Sequence, residues 1–306
     1  MKRHTRLLAL LLLAALLTGC GSNAQQPKEA DAAVVQAALP PEGITALTLS
    51  DDSQVLRFRR DGDIWYWQDD ETFPLDQAAM PALLEAAAAM TSSAPAGDDL
   101  SAYGLDDAKT SLSVTADGET LTFTRGDQTA SGDWYLRCTE DGTVRTVSDD
   151  TVKVFQLLDG SIYDMAVLPV LPAITMDTLH TAAITGAGGV QINLRVVDGV
   201  RKVGSRDVTA ETEALMDELS RLAVTACVDY DPAEGAAAVC GLDAPAAVLT
   251  LTCANAVGTE ETLTLTVGLP IGDGGRYVTL NDEPTIYRME ETSLVQVLTL
   301  AENGLS

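Results

Sequence analysis

Histidine is almost missing: the 306-residue chain has two, His4 and His180. His4 falls in the leader described below, so one imidazole remains. A Ser-His-Asp triad or a histidine-ligated zinc site has little to be built from. The Gly-x-Ser-x-Gly elbow, the phosphate loop and the dinucleotide fingerprint are also absent. Basic residues are scarce, with 19 Lys and Arg against 45 Asp and Glu, a formal charge of −26. That excludes nucleic acid, whose affinity comes from cationic contacts to phosphate, and docking on anionic lipid head groups through protein charge. It favours cationic ligands or basic partner surfaces, and it keeps the chain soluble. Aromatics are few, at 5%. The apolar run 7–17 is shorter than the ~20 residues of a membrane-spanning helix. Hydrophobic residues nonetheless make up 46% of the chain, enough for a packed core.

The chain starts MKRHTRLLALLLLAALLTGC. A basic start (Lys2, Arg3, Arg6), a short apolar run and small residues before Cys20 have the layout of a secretory signal. Leu17-Thr18-Gly19-Cys20 resembles the lipobox of bacterial lipoproteins. The resemblance implies a signal peptide over 1–19, diacylglycerol on the Cys20 thiol, and an extracytoplasmic protein anchored to the cell membrane. Each buried CH₂ of such chains contributes about 0.8 kcal/mol. Residues 20–43 then read as a tether rich in Ala, Gln and Pro, ending near Pro40-Pro41.

The rest of the chain is organised by repetition. Gly104-Leu105-Asp106 recurs as Gly241-Leu242-Asp243, and Asp61-Gly62 as Asp198-Gly199, at one common offset. Further on, Glu119-Thr120-Leu121-Thr122 recurs as Glu261-Thr262-Leu263-Thr264, and Gly126 and Tyr135 as Gly268 and Tyr277, at an offset five residues longer. Two copies of one module follow, over 44–170 and 171–306, joined near Pro169 and Pro172. Alternating apolar residues and Asp-Gly turns predict strands. Three- and four-residue spacing predicts a helix over 75–90 and its counterpart over 208–224. Shorter closing helices are expected near 152–158 and 293–300. The expected class is α+β: two tandem homologous modules, each a mainly antiparallel sheet with one long and one short helix.

The step Tyr103-Gly104-Leu105-Asp106 (Cys240-Gly241-Leu242-Asp243 in the second copy) precedes a strand. A strand ending in Gly and an aromatic-containing strand follow. This pattern is similar to that of the domain of unknown function 4340 family, over residues of about 44 to 304. The family's members look like envelope proteins, some encoded beside ABC transporters of the gliding-motility type. The resemblance implies an export-associated or scaffold role and supplies no catalytic residues.

Chemistry-bearing candidates are few. Trp65, Trp67 and Trp134 suit either a sugar- or peptide-binding platform or the packing of a sheet face under a helix. The Asp-Gly alignment sets Trp65 and Trp67 against Lys202 and Gly204, so the second copy has no such surface. Asp51-Asp52, Asp69-Asp70, Asp98-Asp99 and Asp149-Asp150 are acid pairs; two of them brought together have the makings of a glycan hydrolase. All flank expected turns or helix starts, where Asp serves local hydrogen bonds. Cys138, Cys227, Cys240 and Cys253 allow three full disulfide pairings; Cys227–Cys240 is the expected one, unless the compartment lacks oxidants. His180 reads as a surface or packing residue. No cofactor, metal ligand set or catalytic residue is expected. The function expected is a non-enzymatic binding or scaffold module, possible accessory of an ABC transporter, with a glycan hydrolase or a ligand-binding lipoprotein as the alternatives.

Overall fold

In Ile44–Ser50 (β1) the side chains of Ile44, Leu47 and Leu49 are buried, while Thr48 and Ser50 stay half-exposed. This is the two-residue period of a strand with one wet face. The computed structural model describes residues 39–305 other than 92–93, 98–99 and 256. The expected signal peptide, Cys20 and most of the tether lie outside the described residues. β1 belongs to a sheet with Val55–Asp61 (β2), Ile64–Trp67 (β3), Ala94–Gly97 (β4), Ser111–Ala116 (β5), Glu119–Gln128 (β6), Trp134–Cys138 (β7) and Val144–Val147 (β8). Its strand order is β3-β2-β1-β5-β6-β7-β8-β4, and every pairing is antiparallel. One long helix, Met80–Thr91 (α1), follows β3. A single turn, Asp149–Val152 (α2), runs on as the 3₁₀ stretch Lys153–Leu158 and closes the first half.

The second half has Leu179–Gly186 (β9), Gln191–Val197 (β10), Val200–Val203 (β11), Arg206–Asp207 (β12), Ala226–Asp229 (β13), Ala247–Ala254 (β14), Glu260–Ile271 (β15), Gly275–Leu280 (β16) and Ile286–Glu290 (β17). Its order is β12-β11-β10-β9-β14-β15-β16-β17-β13, the order of the first sheet with β12 added at one edge. The registers correspond as well. Leu49 lies opposite Leu56 and Leu112, as Ile184 lies opposite Ile192 and Leu249. Phe123 lies opposite Leu112 and Cys138, as Leu265 lies opposite Leu249 and Leu280. Helices Glu213–Leu219 (α3), Ala236–Val239 (α4) and Val295–Asn303 (α5) complete this half.

The molecule is therefore α+β and mostly antiparallel, but the expected pattern of one long and one short helix in each module is corrected. α3 has 7 residues, not the span 208–224, and α5, with 9, is the longer helix of its half. The residues before α3 are tied to the sheet: Val208 N–H donates to the Arg201 carbonyl of β11 at 2.9 Å, and Thr209 Oγ1 accepts from Arg201 N–H at 3.0 Å. At its far end Thr225 N–H is drawn into the sheet by the Arg288 carbonyl, 2.8 Å away. α1 likewise begins at Met80, because Leu75 forms a bridge with Ala166 and Asp76 N–H donates to the Met165 carbonyl at 2.7 Å.

Each sheet has its own apolar cluster, centred on Leu47, Phe58, Phe123 and Phe155 in the first half and on Leu249, Leu265, Val278 and Val297 in the second. Both halves belong to one compact unit. Leu168 and Tyr287 pack against both clusters, and Cys227 of β13 is buried within the first. Tyr230 sets its ring edge-on to Phe73, centroids 5.5 Å apart, and donates its hydroxyl to the Thr72 carbonyl at 2.9 Å. Trp67 and Tyr163 stand on Phe73 at 5.5 and 6.1 Å. The joint is thus filled by aromatic side chains from both halves.

Candidate functional site

The repeated Gly-Leu-Asp step is a helix stop. Gly104 and Gly241 sit at φ +65° and +70°, the left-handed conformation that glycine adopts without strain. Leu105 N–H then reaches back to the Leu100 carbonyl at 2.9 Å, and Leu242 N–H to the Ala237 carbonyl at 2.8 Å, the six-to-one bond of a Schellman cap. Leu105 and Leu242 are buried, whereas Asp106 and Asp243 are exposed. The turn docks on a glycine in the neighbouring strand. A Cβ on Gly126 would stand 2.2 Å from the Tyr103 carbonyl oxygen, and one on Gly268 2.3 Å from that of Cys240. Each glycine lies in a bulge, and Tyr135 or Tyr277 is the residue that the bulge skips on the partner strand. In the first half Tyr135 stacks on Tyr103, centroids 4.2 Å apart. The Gly-Leu turn, the strand glycine and the tyrosine of the sequence repeat therefore meet in one packed contact in each half.

The tryptophans are separated. Trp65 is buried, and its N–H and carbonyl are both held by the Gln77 side chain at 2.9 Å. Trp67 is half-buried against Phe73, with its Nε1–H buried and unpartnered. Trp134 packs on the other side of the same cluster, donates to Asp149 at 2.9 Å and lies under Arg125. Five strand spacings of about 4.8 Å, roughly 24 Å, divide β3 from β7, so the three rings form no single platform. The alignment of Trp65 with Lys202 is corrected by one residue. Arg60 lies opposite Trp65 where Val196 lies opposite Arg201, and Phe58 opposite Trp67 where Leu194 lies opposite Val203. The Asp-Gly pairs fall at different places in their hairpins, and a one-residue slip exchanges the two faces of a strand. The counterpart of Trp65 is thus Arg201, 2% exposed, its guanidinium donating to Glu213 and to the Thr209 carbonyl.

The acid pairs are spent locally. Asp51 Oδ1 accepts from Ser53 N–H at 2.7 Å and Gln54 N–H at 2.9 Å, and the Ser53 hydroxyl leads the causes that hold its carboxyl below the usual range. Asp70 takes the backbone and hydroxyl of Thr72, with the same effect. Asp69 pairs with Arg57 and Asp150 with Lys153. Asp98-Asp99 lies outside the described residues. His180 makes an exposed pair with Glu260, and among the described residues no group of His, Cys, Asp and Glu is arranged to hold a metal ion. The expected Cys227–Cys240 disulfide is also corrected. All four described cysteines are free and buried, with Cys227 in the first sheet's cluster and Cys240 in a separate one with Leu242 and Ile286. Burial raises each thiol, that of Cys227 to about 11.

Sequence reasoning missed an apolar groove beside α1. Ala79, Ala82, Leu83 and Ala86 of α1, together with Val154, Leu157 and Met165, line a groove of about 430 Å³ that has Asp150 and Lys153 at its mouth. On its α1 side Ala82 is exposed, and Ala79 and Ala86 are half-buried. The family model for a domain of unknown function (DUF4340) matches residues 65–232 and again 209–303. No curated protein and no solved structure matches.

Proposed function

The chain belongs to the DUF4340 family, and from that premise we propose that it is an envelope lipoprotein held at the outer face of the cell membrane through Cys20. There it serves as a non-enzymatic binding or scaffold module, an accessory of a membrane complex such as an ABC transporter. Its body is one module duplicated and fused, which accounts for the shared strand order, register and glycine-turn contact. The observation that carries the reading is the filled joint: Phe73, Tyr163, Tyr230 and Trp67 occupy the place where a ligand-binding protein would need a cleft and a hinge. A body without that hinge suits presentation of a fixed surface. The hydrolase alternative is disfavoured by Asp51, Asp69, Asp70, Asp149 and Asp150, whose carboxylates are engaged in local turns, an indole hydrogen bond or ion pairs. The test is crosslinking and co-purification from native membranes in mild detergent, with Cys20→Ala as the untethered control. Recovery of permease or ATPase subunits with the anchored form alone is the expected result. A protein that runs alone in both forms overturns the reading.

A further inference from the structure

We infer that Gln77 guards the β3 edge of the first sheet: its carboxamide stands in for a neighbouring strand and keeps that edge from pairing with β3 of a second copy of this chain. An unpaired edge strand is a template for strand addition, and folded proteins blunt such edges with charge, proline, bulges or a covering segment. Among the described residues the two sheets end in four edges. β12 has two residues, Arg206 and Asp207, both charged and exposed. β4 carries Pro95 and a register irregularity between Pro95 and Gly97. β13 lies against the 3₁₀ turn Ile162–Met165 of the first half. β3 has none of these devices. Ile64-Trp65-Tyr66-Trp67 is uncharged, free of proline and in unbroken register with β2, and Ile64 is 45% exposed.

One side chain covers the middle of this edge. Both backbone groups of Trp65 point away from β2; Gln77 Oε1 accepts the N–H and Gln77 Nε2 donates to the carbonyl, each at 2.9 Å. These are the two bonds that an opposite residue on a next strand exchanges with its partner. Glutamine serves because its amide carries a donor and an acceptor, as a peptide group does. The second half covers the same two groups with the chain that follows β12. At Arg201, the counterpart of Trp65, Thr209 Oγ1 accepts the N–H at 3.0 Å and Val208 N–H donates to the carbonyl at 2.9 Å, while β12 pairs with the next two residues. Without the amide, the occupant that fits the β3 edge is the same edge of another copy. Antiparallel pairing about a two-fold axis sets Trp65 against Trp65, each exchanging both bonds, in a closed isologous contact. Ile64 of each copy then stands opposite Tyr66 of the other, an apolar cross-strand pair on either side of the axis.

The experiment is sedimentation velocity of the full-length protein in mild detergent at increasing concentration. Gln77→Ala removes the amide, and Gln77→Met removes it while keeping the length of the side chain. Gln77 is exposed, so both leave the core untouched, and a native circular dichroism spectrum checks this. The unsubstituted protein is expected to sediment as a monomer. Both variants are expected to dimerise, with a gain in dimer affinity of at least about tenfold. Adding Ile64→Lys to either variant, a charge at an exposed position of the edge, is expected to restore the monomer. Amide-free variants that fold and stay monomeric overturn the inference. Association that Ile64→Lys leaves unchanged, the mark of general aggregation, overturns it equally. An unsubstituted protein that is already a dimer, and that Ile64→Lys alone dissociates, overturns it too, because the edge is then unguarded.

Discussion

Gly126 and Gly268 are the positions where one methyl group has the largest reach. Each would drive a Cβ to within 2.3 Å of a backbone oxygen that cannot move without undoing the Gly-Leu-Asp cap. Gly126→Ala and Gly268→Ala should each cost about 1–3 kcal/mol, the range of overpacking in a tight core. A lowered denaturation midpoint at constant slope is the expected reading. The thiols give a second test at this scale. Burial holds Cys227 at about 11, so at neutral pH it has almost no thiolate, and the thiolate is the nucleophile. Native protein should resist iodoacetamide at all four described cysteines and react fully once denatured; rapid native labelling of Cys227 would contradict its place in the core. Much of the residue scale was legible, because the glycines, leucines and tyrosines of the repeat meet in one contact. The cysteines were not, since sequence spacing carries no information about which apolar cluster each thiol joins.

Among the elements, α5 depends on a single side chain from another helix. Glu218 of α3 accepts two backbone N–H groups at the start of α5, where orphan donors and the positive end of the helix dipole lie. Glu218→Ala should destabilise by about 1–3 kcal/mol, the cost of leaving buried donors unpaired. Hydrogen exchange at Val297 N–H should rise before exchange in β14 does. Strands and turns were readable in sequence because alternation and Asp-Gly pairs are local signals. Helix ends were not. The expected span 208–224 is apolar at the right spacing, yet Val208 and Thr209 are tied to Arg201 of β11 and Thr225 joins the sheet through a partner 63 residues away. The hairpin register slipped for a related reason. An Asp-Gly pair marks a turn but not its place in it, and the pairing of Trp65 with Arg60 depends on the strands.

For the whole molecule, the joint decides whether one unfolding transition is seen or two. Phe73→Ala removes the ring against which Trp67, Tyr163 and Tyr230 pack. A loss of about 3–5 kcal/mol is expected, with calorimetry resolving two transitions in place of one. Acid should act on the same body through its turns. The carboxyls of Asp51, Asp70, Asp141, Asp150 and Asp207 are held low in the folded state, Asp141 because the Thr143 bonds and Arg145 outweigh its burial. Their stabilisation is complete above the unfolded carboxyl range near pH 4 and is lost as pH falls through the lower folded values. A melting temperature flat from neutral pH to about 5 and falling steeply below 4 is the expected profile. Two sheets that share the order of eight strands in one chain also carry a hazard during folding, because a strand of one can compete for its counterpart's place in the other. The exchange of Trp65 for Arg201 acts against it. If β11 took the place of β3, a guanidinium would enter the apolar cluster beside Phe58 with neither Glu213 nor Thr209 to receive it, and an unpaired buried charge costs several kcal/mol. That difference makes the exchanged pairing the costlier one.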